Sequence, residues 1–259
     1  DQAIRSTGAA EVTSVGQMQI EDDVLVDGNL TLIAINGSGW GDRLIVEGAT
    51  QVSAGGDLEI DGGEDVTVSK NGRLSGGGAI VVRGNSDLPD PTSNAPINLR
   101  SPMFASSFDV YGDNDPDKID LVFSDESEPG SVNDGVKRAS DGVNIVANVH
   151  GGDGNDQLQV ISTGDLDDRV VTVMDQSVVG LVGSDIAYDT IEEATIKGGL
   201  GDDNYTVTDV HEVDQVVRTG EGEDWIEINE SAGDVEGIEI YGEEGDDYLD
   251  IVNDDGLVG

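Results

Sequence analysis

The feature that most constrains this chain is a set of short apolar runs in its first third, which recur at about 22 residues, a period within the range of structural repeats. Runs such as LTLIAI, LIV, LEI and AIVV are rich in β-branched residues and predict short β-strands. The apolar residues that share this spacing are Val24, Val46 and Val68; Leu30, Val52 and Leu74; Leu44 and Val66; Leu58 and Ile80; and Ile60 and Val82. A fixed spacing predicts that like residues stack in successive coils.

Glycine beside asparagine, aspartate or a second glycine separates these runs, in the segments DGN, NGSG, AGG, DGG and NGR. Such residues tolerate the positive φ angles that tight corners require. Stacked coils lie about 4.8 Å apart, whereas a β-sandwich would not hold inward residues at a constant period. The sequence therefore predicts an all-β fold, a right-handed parallel β-helix with coils of about 22 residues.

The composition agrees with a solenoid. Hydrophobic residues make up 36% of the 259 residues and only ten are aromatic, which is little for a globular core of this size. A solenoid needs only a narrow line of Val, Ile and Leu inside each coil. The absence of cysteine excludes disulfides, thiolate metal sites and a cysteine nucleophile. No apolar run approaches the ~18 residues of a membrane span, so we expect no membrane insertion.

The charge is strongly one-sided, with 55 acidic against 12 basic residues and a net charge of −43. Phosphates would be repelled over the whole surface, so nucleic-acid binding is not expected. Anionic lipid and anionic polysaccharide are disfavoured for the same reason. Divalent cations are favoured, because they would neutralise carboxylates that otherwise repel each other. The alternative is simply a solvated acidic surface, as in salt-adapted secreted proteins.

The regular spacing ends at NSDLPDPTSNAP, residues 85–96, which holds three of the six prolines. Proline cannot donate a hydrogen bond to a strand ladder. We therefore predict β-helix coils over residues 1–85, a proline-rich loop or boundary over 86–103, and a continuation of the β-helix over 104–259. Since the chain opens on aspartate rather than methionine, we expect it to be a segment of a longer protein.

A second repeat follows that boundary, with a β-branched residue, a glycine turn, an aspartate and a strand. In every copy the aspartate comes seven residues after the β-branched residue, and apolar residues follow it at two and four positions. That alternation predicts a strand with one buried face. The five copies start at Val110, Val149, Ile196, Val217 and Ile240, and their aspartates are Asp117, Asp156, Asp203, Asp224 and Asp247.

These copies resemble the glycine- and aspartate-rich nonapeptide G-G-x-G-x-D-x-U-x of RTX ("repeats in toxin") proteins, in which U is a large apolar residue. The copies at Gly151 and Gly198 match every fixed position. In that family, backbone carbonyls of the turn and the aspartate bind Ca²⁺ between stacked turns. The resemblance implies calcium ligands among Asp156, Asp203, Asp224 and Asp247, the adjoining Asp202, Glu223 and Asp246, and the turn residues Gly151, Asp153, Asn155 and Gly198.

Other copies depart from the pattern. Thr219 replaces the first glycine of one copy, Glu243 replaces the second glycine of another, and Asp113 and Asp115 stand for glycines after Gly112. The spacing of the aspartates is also uneven, because the first two intervals are near double the last two, which match one coil each. An RTX β-roll instead repeats its nonapeptide back to back. This spacing favours a β-helix with one RTX-like corner per coil over a true roll.

Two interpretations of the aspartates remain. If the coils stack in register, Asp203, Asp224 and Asp247 form a column at about 4.8 Å spacing, and neighbouring charges repel by roughly 1 kcal/mol in water. Bound Ca²⁺ would turn that repulsion into attraction. Alternatively, glycine supplies the bend and aspartate caps the turn. Stacking favours the calcium interpretation for these three aspartates. For Asp117 the capping interpretation is favoured, and for Asp156 neither interpretation is favoured over the other.

Catalytic signals are weak. His150 and His211 lie in no metal-site or triad context. The segment YGDNDPDKID is similar to an alginate-epimerase signature, but Asp117 stands where that signature has histidine. Trp40 and Trp225 are candidate sugar-stacking residues, and the alternation points Trp225 outward. A polysaccharide-active β-helix enzyme, with carboxylates on a lateral groove near the proline-rich loop, stays open as the alternative function.

The favoured function is non-enzymatic. Segment 169–207 resembles repeats of very large secreted or surface proteins of bacteria, which act as adhesins, matrix components or surface-layer material. We therefore expect a secreted, cell-surface structural or adhesive module, rigidified by Ca²⁺ bound between coils. Its expected partners are other domains or copies of the same surface protein, and cell-surface glycans.

Overall fold

The computed structural model describes residues 4–35, 43–84, 95–100, 102–112, 116–124, 136–137, 145–182, 184–208, 213–230 and 237–253. All regular elements in these ranges are β-strands. The first eighteen are β1 (Ile4–Ser6), β2 (Ala10–Val15), β3 (Met18–Ile20), β4 (Val24–Val26), β5 (Leu30–Ile35), β6 (Arg43–Val46), β7 (Gln51–Ala54), β8 (Leu58–Asp61), β9 (Asp65–Val68), β10 (Arg73–Gly76), β11 (Ala79–Arg83), β12 (Ala95–Leu99), β13 (Met103–Phe104), β14 (Ser107–Tyr111), β15 (Asp117–Ser124), β16 (Val136–Lys137), β17 (Ala147–His150) and β18 (Gln157–Ser162). The remaining nine are β19 (Val170–Met174), β20 (Ser177–Val179), β21 (Ile186–Asp189), β22 (Glu193–Lys197), β23 (Asn204–Thr208), β24 (Asp214–Arg218), β25 (Trp225–Glu230), β26 (Ile238–Tyr241) and β27 (Tyr248–Asn253).

The strands form three sheets. Sheet A has the order β1-β4-β7-β10-β13-β16, and sheet C has the order β3-β6-β9-β12-β15-β18-β22-β24-β26. Sheet B, the largest, runs β2-β5-β8-β11-β14-β17-β21-β20-β19-β23-β25-β27. Up to β18, each strand pairs in parallel with the strand that lies three strands earlier or later in the chain. Successive passes of the chain through sheets A, B and C therefore stack on one another. The predicted all-β class with parallel strands is confirmed.

Alternate residues of these strands point into one shared core. Val52 of sheet A, Leu58 of sheet B and Val66 of sheet C are all fully buried and belong to the same apolar cluster. The intervening residues of the same strands are at least partly exposed. Each coil thus contributes only a few aliphatic side chains, as the low aromatic content requires.

The register confirms some predicted columns and corrects others. Leu44 pairs with Val66 and Leu58 with Ile80, as predicted. The columns that joined Val24 to Val46 and Leu30 to Val52 are wrong, because Val24 pairs with Val52 and Leu30 with Leu58. Val24 and Val46 lie in different sheets. One period is not kept throughout, because the segment 36–42 that joins β5 to β6 is longer than the segment 62–64 that joins β8 to β9.

An antiparallel insertion interrupts the parallel stack. Strand β20 pairs antiparallel with both β19 and β21, while β21 pairs in parallel with β17. We call β19, β20 and β21 the meander. Before it the chain visits sheets A, B and C in turn, and from β22 onward it alternates between C and B. The meander therefore converts a three-sheet arrangement into a two-sheet one, which the sequence did not predict.

Sheet pairing continues through part of the predicted boundary 86–103. Strand β12 lies within it and pairs in parallel with β9 and β15, and β13 pairs with β10. Residues 85–94, like Trp40 and His211, lie outside the described residues. Over the ranges that the structure describes, no helix is long and apolar enough to cross a membrane.

Candidate functional site: an aspartate corner

The five glycine–aspartate copies lie at two different corners. Asp117 and Asp156 stand where the chain passes from sheet B to sheet C, at the start of β15 and directly before β18. Asp203, Asp224 and Asp247 stand where it passes from C to B, directly before β23, β25 and β27. The change from one corner to the other falls between Asp156 and Asp203, the interval that contains the meander. Asp117 and Asp156 are 39 residues apart but only one coil apart, because Ile119 pairs with Leu158. The expectation that this interval spans nearly two coils is therefore wrong. We call the C-to-B turns the aspartate corner.

The aspartates of this corner are stacked in register. The backbone N–H of Asp203 donates to Oδ1 of Asp224 at 2.8 Å, and the N–H of Asp224 donates to Oδ1 of Asp247 at 3.2 Å. The strands that follow them pair in parallel, with Asn204 opposite Trp225 and Trp225 opposite Tyr248. The predicted column of three aspartates is therefore present, one per coil. Each carboxylate uses one oxygen to cap the turn before it.

A second acidic column lies outside the first. The N–H of Glu223 donates to Oδ1 of Asp202 at 2.9 Å, and the N–H of Asp202 donates to Oδ1 of Asp168 at 3.1 Å. These hydrogen bonds run in the opposite direction along the stack from those of the inner column. In the next turn the corresponding position is held by Asp246, which is exposed. Two carboxylates therefore stand side by side in each of these three turns.

The corner has a fourth turn that sequence reasoning missed. Asp202 bonds to Asp168, and Asn204 donates its N–H to the carbonyl oxygen of Arg169 at 2.8 Å, so turn 163–169 stacks on turn 198–203. Arg169 occupies the position of the aspartate, and its N–H donates to Oδ1 of Asp203 at 2.8 Å. The apolar residues two and four places later, Val171 and Val173, were the available signal.

Burial changes the acidity of the inner column. Asp203 and Asp224 are each 2% exposed. Burial raises the pKa of Asp203 to about 7; the N–H of Arg169 opposes this shift and the charge of Asp224 adds to it. Burial also raises the pKa of Asp224. Asp247, in the last of these turns, is exposed.

One carboxylate oxygen of the corner is buried without a hydrogen bond. Oδ2 of Asp224 has no hydrogen-bond partner. The Thr219 hydroxyl lies near enough to lower the pKa of Asp224, but its own hydrogen bond goes to the Gly242 carbonyl oxygen at 3.0 Å. Buried polar atoms are normally paired, so such an oxygen indicates a missing partner.

The glycines of the corner are needed for close approach. A Cβ on Gly198 would overlap the carbonyl oxygen of Thr219, and one on Gly245, which has φ 144°, would overlap that of Gly222. Glu243, at a glycine position of the repeat, has φ 67°. Its carboxylate pairs with Arg218 at 2.9 Å, which holds the side chain over the neighbouring coil.

The B-to-C corner has a separate and shorter ladder. The N–H of Asp117 donates to Oδ1 of Asp156 at 2.8 Å, and the N–H of Asp156 donates to Oε2 of Glu192 at 2.7 Å. Both aspartates are buried, as is Gly151, whereas Asp153 and Asn155 are exposed at the tip of the turn. The complete nonapeptide at Gly151 is thus not stacked on the one at Gly198.

The same capping bond recurs at a corner without the RTX-like pattern. Where the chain passes from sheet A to sheet B, the N–H of Asp57 donates to Oδ1 of Asn29 at 3.1 Å and the N–H of Ala79 donates to Oδ1 of Asp57 at 2.9 Å. Both of these hydrogen bonds are exposed. The same capping bond therefore forms away from the RTX-like repeats, and a buried inner column with a second, exposed acidic column beside it distinguishes the aspartate corner.

A mixed ladder lies on the outer face of sheet B. The guanidinium of Arg83 lies 5.4 Å from the ring of Tyr111, which stacks on the imidazole of His150 at 4.6 Å. Nδ1 of His150 lies 2.9 Å from the carboxylate of Asp189, and Arg83 pairs with Glu59. Cationic, aromatic and acidic groups thus meet on one surface.

Trp225 points outward as predicted. It is 43% exposed and stacks on Tyr248 at 4.0 Å, directly after the aspartate corner. In the part of the chain that the structure describes, no three His, Asp or Glu side chains converge as a preformed metal site. No protein-family model, no curated protein and no solved structure matches the chain.

Proposed function

We propose that this chain is a non-enzymatic structural or adhesive module of a secreted, cell-surface protein, and that Ca²⁺ bound between stacked turns of the aspartate corner rigidifies it. The observation that carries the proposal is the buried Oδ2 of Asp224, which has no hydrogen-bond partner and lies within a double column of carboxylates. Calcium binds carboxylate and carbonyl oxygens. This corner has more carboxylates than basic side chains.

The fold that we propose is a right-handed parallel β-helix. Parallel strands of one sheet that are joined by a crossover are almost always connected with right-handed geometry. The shared core of sheets A, B and C supports a closed coil around residues such as Val52 and Leu58. Tyr205 pairs with Ile226, and Ile226 pairs with Leu249, so one coil separates the residues of each pair. The lengths of these two coils are close to the period of about 22 residues that the repeats indicate.

The residues that would hold the metal are the two acidic columns. Asp224 and Asp247 keep Oδ2 after capping a turn with Oδ1, and Oδ2 of Asp203 accepts a long hydrogen bond from Tyr205, at 3.4 Å. The adjoining Asp202 and Glu223 add a carboxylate in two of these turns.

The other predicted ligands, at the B-to-C corner, support calcium less well. The ladder of Asp117, Asp156 and Glu192 has no second acidic column beside it, because the residues that precede these three are Pro116, Asn155 and Ile191. Asp153 and Asn155 lie at the exposed tip of the same turn, away from the buried carboxylates. We therefore place the proposed metal at the aspartate corner.

Calcium titration tests the proposal. Isothermal titration calorimetry of the metal-free protein with CaCl₂ should give saturable binding, with weaker binding of Mg²⁺, which demands strict octahedral geometry. The double variant Asp203→Asn/Asp224→Asn should lose that binding. The matched control is Asp57→Asn, which changes the same group in an exposed capping ladder and should bind calcium like the wild type.

If the wild-type protein binds no Ca²⁺, the aspartates are only turn caps and the proposed function is wrong. Equal loss of binding in Asp57→Asn would also contradict it, because the site would then not be confined to the aspartate corner.

The partners that we propose are other domains or copies of the same surface protein, and cell-surface glycans. Leu249 and Ile251 of β27 are 52% and 57% exposed, although Ile226 and Ile228 in the same columns are buried. An exposed apolar row of this kind favours contact with further protein. Sedimentation of the wild type and of Leu249→Asp/Ile251→Asp should show less self-association in the variant.

The second candidate function is a polysaccharide-active enzyme, and the outer ladder of sheet B favours it. Arg83 and His150 bring basic groups next to Glu59 and Asp189, and Arg83 lies shortly before the proline-rich segment. Incubation with neutral glycans, followed by a reducing-end assay, tests this candidate. Activity that His150→Ala abolishes would support it, and absence of any turnover would exclude these substrates.

A further inference from the structure

The turn 163–169 differs from the other three turns of the aspartate corner in the charge at its two column positions. In each later turn the two column positions are acidic, as Asp202 with Asp203, Glu223 with Asp224, and Asp246 with Asp247. In the first turn they are Asp168 and Arg169, so the pair is neutral. At the column positions, the stack therefore has one contact between turns that contains a cation and two that contain acids alone.

Arg169 is held firmly in that first contact. Its Nε donates to Oδ2 of Asp165 at 2.7 Å, and its guanidinium also reaches Oδ2 of Asp167 at 3.3 Å. Asp165 is 1% exposed, so this ion pair is largely buried. The backbone N–H of Arg169 caps Oδ1 of Asp203 at 2.8 Å.

The charge of Arg169 acts on the next turn as well. Burial lowers the pKa of Arg169, but the carboxylates of Asp165, Asp167 and Asp203 outweigh burial, so that the pKa is raised. An arginine guanidinium cannot be deprotonated under ordinary conditions. At its column positions, turn 198–203 therefore faces a permanent positive charge on one side and carboxylates on the other.

We infer that Arg169 is an internal counter-ion that takes the place of calcium in the first contact of the aspartate corner and limits metal binding to the two contacts among turns 198–203, 219–224 and 242–247. This inference rests on the proposed function. It predicts which end of the stack folds without metal: the end that contains Arg169.

The variant Arg169→Asp tests the inference, because it makes both column positions of the first turn acidic, as they are in the other three turns. Calorimetry should detect one more Ca²⁺ per chain than in the wild type. Its melting temperature should fall in chelator and recover when millimolar CaCl₂ is added. Arg169→Lys, which keeps the charge, should retain the wild-type stoichiometry.

The matched control is Arg43→Asp, which makes the same charge change outside the corner. Arg43 of β6 pairs with Asp65 of β9 at 3.1 Å. It should leave the number of bound Ca²⁺ ions unchanged. If Arg169→Asp does not fold, Arg169→Gln removes the charge without adding a carboxylate, and calcium should raise its melting temperature more than that of the wild type.

The outcomes separate the two claims. Wild-type binding with no additional ion in Arg169→Asp, or a calcium response of Arg169→Gln equal to that of the wild type, overturns the inference alone. Absence of wild-type binding overturns the proposed function and this inference with it.

Discussion

At the scale of single residues, one carboxylate does two things in the aspartate corner. Oδ1 of Asp224 accepts the N–H of Asp203 and so caps a turn, while Oδ2 is buried without a partner. The capping and calcium interpretations of the sequence are therefore compatible. The cap fixes the side chain, and the remaining oxygen is available to a cation.

Removing the charge of Asp224 should separate these roles. Asp224→Asn keeps an oxygen for the cap but removes one of the repelling charges, so in chelator the free energy of unfolding should rise by about 1 kcal/mol. Added calcium should stabilise this variant less than the wild type. Denaturant unfolding with and without CaCl₂ measures both. Asp57→Asn is the control, and an identical calcium response in Asp224→Asn and the wild type would contradict the metal role.

The pKa of Asp203 predicts an unusual pH dependence for the metal-free protein. Folding raises that pKa from 3.8 to about 7, so between these values the native state holds a proton that the unfolded chain releases. The free energy of unfolding should therefore fall as pH rises from about 4 to about 7, by up to about 4 kcal/mol. Unfolding in chelator at pH 5 and pH 8 measures the change.

The variant Asp203→Asn isolates that contribution from the general repulsion among carboxylates. Its loss of stability between pH 5 and pH 8 should be clearly smaller than that of the wild type. Equal losses in the two proteins would show that Asp203 does not titrate in this range.

Glycine at the corner can be tested in the same way. Gly245→Ala should cost at least about 2 kcal/mol, because a Cβ would overlap the Gly222 carbonyl oxygen and φ is 144°. Gly8→Ala is the control, since nothing lies within 4 Å of its added Cβ, and the change should stay within about 0.5 kcal/mol. Similar unfolding free energies for both variants would contradict the packing described for the turns.

At the scale of strands and turns, the meander separates the repeats at the B-to-C corner from those at the aspartate corner. It is anchored from sheet C by Gln215, a fully buried residue that donates to the Met174 carbonyl oxygen at 2.7 Å and to the Tyr188 hydroxyl at 3.1 Å. These bonds tie the end of β19 to β21, the last strand of the meander.

Gln215→Leu should therefore destabilise the protein by about 1–3 kcal/mol, because buried polar groups lose their partner. Gln157→Leu is the control, since the Gln157 amide bonds Glu193 in a part-buried position, and it should cost less than about 0.5 kcal/mol. Denaturant unfolding measures both, and equal losses would show that Gln215 does not anchor the meander.

Much of this level could be predicted from the sequence, but not all of it. Alternating residues such as Leu158 and Val160 identify strands, because only one face is buried. Alternation is the same in parallel and antiparallel strands, so the segment after Val170 gave no sign of the meander. The turn that ends at Arg169 was missed because it lacks the defining aspartate. Val24 and Val46 were joined by a spacing that coincided with the period of other coils.

At the scale of the whole molecule, charge and fold act together. A net charge of −43 opposes compaction, and the parallel stacking of strands brings Asp203, Asp224 and Asp247 into one column. Ca²⁺ bound as we propose would therefore be part of the folded state of the C-terminal coils. Metal that binds only the folded state adds about 2.7 kcal/mol per site at a hundredfold excess over its Kd.

Hydrogen exchange with and without calcium tests this claim most directly. In CaCl₂ at a hundredfold excess over Kd, we predict that amide exchange through calcium-dependent opening slows by about a hundredfold per bound ion. The slowing should be confined to peptides from 198–208, 213–230 and 237–253, which contain the three turns of the proposed metal contacts and include the N–H groups of Asp203 and Trp225. Peptides from 51–84, with the exposed ladder of Asp57, should exchange at the same rate in calcium and in chelator. Equal exchange of both regions under the two conditions would contradict the account.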